Sequence, residues 1–134
     1  MKRTGSAEAP TAHPALEFAG GCLSGVLVLL AGLLIALSFG STVEIESPEQ
    51  FAGLRDNDSG VALAVLVLGV VALLGGLAVA VRTSRVLLAV VGAVCGVLIV
   101  AAGYRGYTLS PMLKCWEHDT IARNANGSYT CYDR

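Results

Sequence analysis

The chain has 134 residues, of which 54% are hydrophobic and 14% are charged, and its formal net charge is −1. A soluble domain usually carries about 25% charged residues, and a nucleic-acid-binding chain needs a basic face. The composition therefore argues against an ordinary soluble domain and against a nucleic-acid partner, and it predicts a single membrane unit without a separate catalytic domain.

Three apolar runs predict an all-α membrane protein with three transmembrane helices, at residues 18–39, 61–81 and 86–104. Each run has about the 20 residues that a helix needs to cross a hydrocarbon core of about 30 Å. The lipid bilayer is therefore the first expected partner. The segments between the runs are a disordered N-terminal tail at 1–17, an acidic loop at 40–60, a turn at 82–85 and a C-terminal tail at 105–134.

The first run, 18–39, is longer than the apolar region of 7–15 residues that is typical of a signal peptide. Ala36-Leu37-Ser38 is a faint cleavage site, so removal of this span stays an alternative. Cys22 precedes most of the apolar run, which is the wrong order for a lipidated cysteine. We expect both Cys22 and Cys95 to be small apolar fillers.

The acidic loop, 40–60, carries five acidic residues and one basic residue. Ser47-Pro48-Glu49-Gln50 is typical of a helix start, and Phe51 and Leu54 would share one face of that helix. The loop therefore predicts a short amphipathic helix at the membrane surface. Asp56 to Gly60 resembles part of a calcium loop, but the glycine comes one position early and the distal glutamate is missing, so we expect a solvated turn.

The residues after the third run, Tyr104-Arg105-Gly106-Tyr107, predict an interfacial anchor in which Arg105 reaches to water. On this interpretation Glu17 lies at a span edge, and no ionisable side chain lies well inside a predicted span. The usual parts of a proton relay or ion pathway are therefore missing from the pattern.

The C-terminal tail contains Cys115 and Cys131, which lie 16 positions apart. A segment this small buries little apolar surface, so we predict a disulfide, which would contribute about 3 kcal/mol in the chain-entropy model. Asn126-Gly127 predicts a hairpin turn. His118 and its two acidic neighbours lack the spacing of a zinc site, so we expect no metal.

The orientation rests on Arg82 and Arg85, which form a very short link that contains no acidic residue. Counting basic residues on the two sides does not decide it, but such a link is hard to translocate, and a disulfide belongs in an oxidising compartment. We therefore place the N-terminus and the 82–85 link in the cytoplasm, and the acidic loop and the tail outside the cell membrane. The preference for arginine over lysine indicates a bacterial source, in which case the sequons at Asn57 and Asn126 would not matter.

Small residues spaced four apart predict helix packing, because they let backbones approach closely in lipid. They are Gly21 and Gly25 in the first span, Ala72, Gly76 and Ala80 in the second, and Gly92 and Gly96 in the third. A glycine-rich composition also produces such pairs by chance. The pattern leaves open whether these faces pack within the chain or between copies.

No catalytic set, nucleotide motif or cofactor site is recognisable in the sequence, so we expect a protein that is not an enzyme. The favoured interpretation is an accessory or structural subunit of a membrane complex, with another membrane protein or a second copy as its partner. The alternative is a small homo-oligomeric channel or transporter with Ser24 lining a pore. A holin-like pore former is a variant that leaves the disulfide unexplained.

Overall fold

The structure, a computed structural model, describes residues 14–47, 49 and 53–133. In chain order the elements are α1 (Pro14–Gly40), α2 (Val43–Glu46), β1 (Arg55–Asp56), α3 (Ser59–Thr83), α4 (Arg85–Leu109), a 3₁₀ helix (Met112–Cys115), β2 (Thr120–Arg123) and β3 (Tyr129–Tyr132). Helix α1 begins at Pro14, so the last residues of the expected disordered tail are helical. The surface helix predicted from Ser47 falls largely on residues 48 and 50–52, which lie outside the described residues.

The predicted fold class is confirmed: three helices are long and apolar enough to cross a membrane. Helices α3 and α4 have 25 residues each, which corresponds to a length of about 38 Å. That length exceeds the hydrocarbon core of about 30 Å. The helix ends therefore extend into the headgroup region on at least one side of a bilayer.

Helices α1 and α3 pack antiparallel through buried positions that alternate in steps of four and three. These positions are Ser24, Val28, Ala31, Ile35 and Ser38 in α1, and Ala62, Leu66, Gly69, Leu73, Gly76 and Ala80 in α3. A four-three alternation is the heptad pattern of a left-handed helix pair. Small residues recur every seven positions on both faces, which lets the two backbones come close.

Helix α4 returns antiparallel to α3 after a single linking residue, Ser84. The Ser84 side chain accepts a hydrogen bond from the backbone N–H of Leu87 at 3.2 Å, which caps the new helix. The helix then continues to Leu109, past the predicted span end at Tyr104. This extension places Arg105 within a helix.

One end of the bundle carries a small folded region, which we call the head: α2, the three strands and the 3₁₀ helix. The strands form an antiparallel sheet in the order β1-β2-β3, with Arg55 opposite Ile121 and Ile121 opposite Cys131. The acidic loop thus supplies a strand, β1, where the sequence predicts only a surface helix and a turn. The predicted disulfide between Cys115 and Cys131 is present, with a Cα–Cα distance of 5.4 Å.

Candidate functional site

The most unusual side chain in the described structure is Arg105, which is fully buried where α4 meets the head. All five of its N–H donors have protein acceptors. Nε donates to the Ser38 hydroxyl at 3.3 Å. Nη1 donates to Glu46 Oε1 at 2.6 Å and to Thr108 Oγ1 at 3.2 Å. Nη2 donates to the Ser38 carbonyl at 2.5 Å and to the Thr42 hydroxyl. The expectation that Arg105 reaches to water is therefore wrong. It fails because α4 does not end at Tyr104.

Apart from Thr108 in α4 itself, the acceptors of Arg105 come from three consecutive pieces of the chain. Ser38 lies in the last turns of α1, Thr42 precedes α2, and Glu46 ends α2. Two of these acceptors also donate hydrogen bonds. The Ser38 hydroxyl donates to the Ala62 carbonyl at 2.8 Å, and the Thr42 hydroxyl donates to Glu46 Oε1 at 2.8 Å. A single guanidinium therefore joins α1, α2 and α4, and through Ser38 it is also linked to α3.

An ionisable side chain buried within a membrane-spanning helix is rare and usually marks a site. Arg105 is held here by hydrogen bonds and by an ion pair with Glu46. Its partner Glu46 is 30% exposed at the side chain and is already paired with it. The arrangement can hold the head on the bundle.

Aromatic rings lie on one side of this ion pair. The Cζ atom of Arg105 lies 4.9 Å from the centroid of the Phe39 ring, and Phe39 stacks on Tyr104 at 6.4 Å. Tyr104 and Tyr107 are themselves exposed. Tyrosine rings at this level of a helix are typical of the interface between hydrocarbon and water.

An open cleft of about 610 Å³ lies above these rings, between the end of α4, the end of α2 and the β2–β3 hairpin. Its charged lining residues are Glu46, Lys114 and Arg123, and Tyr104, Tyr107 and Tyr129 supply rings and hydroxyl groups. Burial raises the pKa of Tyr129 above its ordinary value of 10.0. The Tyr129 hydroxyl therefore keeps its proton at neutral pH and can donate a hydrogen bond.

Asn57 fastens the acidic loop to the C-terminal tail. Its side-chain amide donates to the Cys115 carbonyl at 2.5 Å and to the His118 carbonyl at 2.9 Å, and its backbone N–H donates to the Asp119 carbonyl at 2.9 Å. A glycan on Asn57 would break the side-chain bonds, whereas Asn126 is exposed in the hairpin loop. The two sequons are therefore not equivalent in the folded chain.

The acidic and histidine positions considered from the sequence are not gathered into a metal site. His118 Nδ1 pairs with Asp133 Oδ1 at 2.7 Å on the surface. Asp56 lies in β1, and Asp58 and Gly60 lie at the start of α3, so the segment has no calcium-loop geometry. Within the described ranges, no group of three or more His, Cys, Asp or Glu side chains is placed to hold a metal ion.

The structure separates the small residues proposed for helix packing into two groups. Gly76 and Ala80 lie on the buried face between α1 and α3, with Ala72 packed beside it. A Cβ atom added at Gly76 would lie 2.9 Å from Val28 Cγ2 and 3.3 Å from the Ser24 carbonyl oxygen. The other four are Gly21, Gly25, Gly92 and Gly96. A Cβ atom added at any of them would have no neighbouring atom within 4 Å.

Ser24 lies on the buried face of α1 and donates its hydroxyl to the Gly76 carbonyl at 2.8 Å. This hydroxyl is therefore used between two helices of the same chain. A pore lined by Ser24 would have to break that bond. The pore hypothesis stays a prediction, but its one named polar residue is engaged elsewhere.

The two arginines chosen as topology markers lie together at the end of the bundle opposite the head. Arg82 is in the last turn of α3, Arg85 is the first residue of α4, and both are exposed. The disulfide lies in the head, at the other end. The head and the Arg82–Arg85 turn therefore lie at opposite ends of the helix bundle.

Gly69, Ser38, Thr42 and the role of Arg105 do not stand out in the sequence when small residues are sought at four-residue spacing. A search at seven-residue spacing finds the first two, because Ser24, Ala31 and Ser38 in α1 face Ala62, Gly69 and Gly76 in α3. Arg105 continues the spacing of Cys95, Leu98 and Ala102, which lie on the inner side of α4. The pattern was present, but four-residue spacing does not reveal it.

Comparison with protein-family models, with curated proteins and with solved structures found no match to this chain. What the geometry defines is a small membrane protein: three helices able to span a membrane, and a disulfide-bonded head at one end.

Proposed function

We propose that this chain is an accessory or structural subunit of a membrane complex and that it has no catalytic activity of its own. The observation that carries the proposal is the outer face of α4. Gly92, Gly96 and Gly103 lie on this face, and an added Cβ at any of them would meet no atom within 4 Å. Such a face lets a helix of another membrane protein approach closely.

The inner contacts of the chain support the same function. Helix α1 and helix α3 share a tight interface of small residues, so the chain has a stable bundle on which α4 can be presented. The buried polar groups Ser24, Ser38 and Arg105 are used in bonds between helices. These groups stabilise a scaffold and leave a packing surface for a partner.

The test is purification of the full chain from its own membrane in a mild detergent, followed by identification of the proteins that accompany it. We expect a defined membrane protein to be recovered with the wild-type chain. The double variant Gly92→Leu and Gly96→Leu fills the outer face of α4 and should reduce that recovery at least tenfold. Leucine is compatible with a lipid-facing helix, so the variant should still insert and form its disulfide.

The matched control is Val90→Phe with Val97→Phe, which also adds four carbons at each of two positions of the same helix, both of them exposed on another face. It should retain the partner. Recovery of the wild-type chain as a monomer without any partner would contradict the proposal. Recovery of a discrete homo-oligomer that conducts ions in liposomes would favour the channel instead.

We further propose that the chain resides in the cell membrane of a bacterium, with its N-terminus and the Arg82–Arg85 turn in the cytoplasm and its head outside. The support is chemical. A disulfide is stable in an oxidising compartment, and a short link with two arginines is retained in the cytoplasm. The two features lie at opposite ends of the bundle, as this topology requires.

A further inference from the structure

The cleft between the end of α4 and the β2–β3 hairpin has a chemical character that the subunit function does not explain. It combines cations with exposed aromatic rings at the point where the chain leaves the apolar part of the bundle. We propose that this cleft binds the headgroup phosphate of an anionic phospholipid from the leaflet on the side of the head.

The two cations of the cleft are available to a ligand. The Lys114 ammonium makes no ion pair or hydrogen bond with any described residue, and its side chain is exposed. Arg123 uses Nη1 to donate to the backbone carbonyl of Glu46. Among the described residues its other guanidinium donors have no acceptor, so they remain able to bind a phosphate oxygen.

The local charge favours an anionic ligand. The carboxylate of Glu46 faces the same cleft, but it is paired with Arg105 at 2.6 Å. Lys114 and Arg123 are therefore in excess within the cleft. Glu49 lines a neighbouring cleft of about 640 Å³, which Arg123 also lines. A basic residue close to a membrane surface attracts anionic lipid by about fivefold in affinity.

The aromatic residues place the cleft at headgroup depth and distinguish a lipid from a soluble phosphate. Tyr107 is 79% exposed and Tyr104 is 63% exposed, on the last turns of a helix that is apolar from Val86 to Gly103. Tyrosine rings in this position lie beside the glycerol and upper acyl region. A lipid whose phosphate reached Lys114 would thus lay its chains along α4, and Tyr129 could donate its hydroxyl to the same headgroup.

The test uses the full chain with its disulfide intact, in detergent micelles titrated with phosphatidylglycerol or phosphatidylcholine and observed by native mass spectrometry. We expect the first phosphatidylglycerol to bind at least tenfold more tightly than phosphatidylcholine. Lys114→Gln should weaken it about fivefold, and Lys114→Gln with Arg123→Gln should weaken it further. Because Lys114 has no partner among residues 14–47, 49 and 53–133, weaker binding by Lys114→Gln is not expected to come from a disturbed fold. Lys114→Arg should restore binding.

The matched control removes two positive charges at the other end of the bundle, with Arg82→Gln and Arg85→Gln. It should leave the affinity for the first phosphatidylglycerol unchanged. The proposal is overturned if Lys114→Gln binds as the wild type does, or if the control loses as much affinity as the cleft variants. Displacement of the lipid by millimolar inorganic phosphate would assign the site to a soluble phosphate and would also overturn it.

Discussion

Arg105 shows how one residue can join two parts of a small chain. A lysine at this position would offer three donors on a compact ammonium, whereas the planar guanidinium offers five in fixed directions. All five are used, on acceptors from α1, from the residue before α2, from α2 itself and from α4. The head is therefore oriented on the bundle by geometry as well as by charge.

Replacement of Arg105 by glutamine should lower the free energy of unfolding by about 1–3 kcal/mol, because the buried acceptors of Ser38 and Thr42 then lose their donor. Arg105→Lys should be intermediate. The measurement is denaturant unfolding in detergent followed by circular dichroism. The exposed Arg85→Gln is the control and should change stability by no more than about 0.5 kcal/mol.

A double-mutant cycle separates the ion pair from the rest of the network. Glu46→Gln combined with Arg105→Gln should cost less than the sum of the two single variants, because neither charge is then left unpaired. Strict additivity would show that Arg105 and Glu46 do not interact in the folded protein, and the buried network described above would then be incorrect.

At the scale of helices, the interface between α1 and α3 depends on the seven-residue repeat of small side chains. Gly69 and Gly76 each lie against the backbone of α1: an added Cβ would be 3.3 Å from the carbonyl oxygen of Ala31 or of Ser24. The neighbouring Gly75 is different. An added Cβ there would meet Leu27 Cδ1 at 3.7 Å, which is an ordinary contact.

Gly76→Ala should therefore destabilise the chain by about 1–3 kcal/mol through overpacking. Gly75→Ala is the matched control, because it makes the same chemical change at the adjacent position of the same helix, outside the tight contact with α1. It should be neutral or stabilising by up to about 1 kcal/mol, since alanine favours a helix over glycine. Thermal unfolding in one detergent compares them directly. Equal melting temperatures would show that α1 and α3 do not approach as closely as described.

At the scale of the whole molecule, the number of long helices and the disulfide could be predicted because both follow from composition. Three long apolar runs require three helices, and two cysteines in a short polar tail require a disulfide. The pairing of β1 with β2 was not predictable, because Arg55 and Asp56 form a two-residue strand that no alternating pattern announces. The cleft was hidden for a related reason, since Lys114, Arg123 and Tyr129 converge only after the hairpin folds back onto α4.

The same distribution of features gives a direct test of orientation. In intact cells that express the full chain, a membrane-impermeant phosphine followed by an impermeant maleimide should label Cys115 and Cys131. Cys22 and Cys95 lie within α1 and α4 and should stay unlabelled. A Ser84→Cys variant introduces a thiol at the other end of the bundle, and it should react only after the cells are permeabilised.

A chain with Cys115→Ser and Cys131→Ser is the control, and it should lose the label that depends on the phosphine. Labelling of Ser84→Cys in intact cells, with a disulfide that the impermeant phosphine cannot reach, would reverse the topology. The head and its cleft would then face the cytoplasm, where a structural disulfide is rarely maintained. The Arg82–Arg85 turn and the disulfide lie at opposite ends of the same helices. Comparing the labelling of a thiol at position 84 with that of the reduced disulfide therefore decides the orientation of the whole molecule.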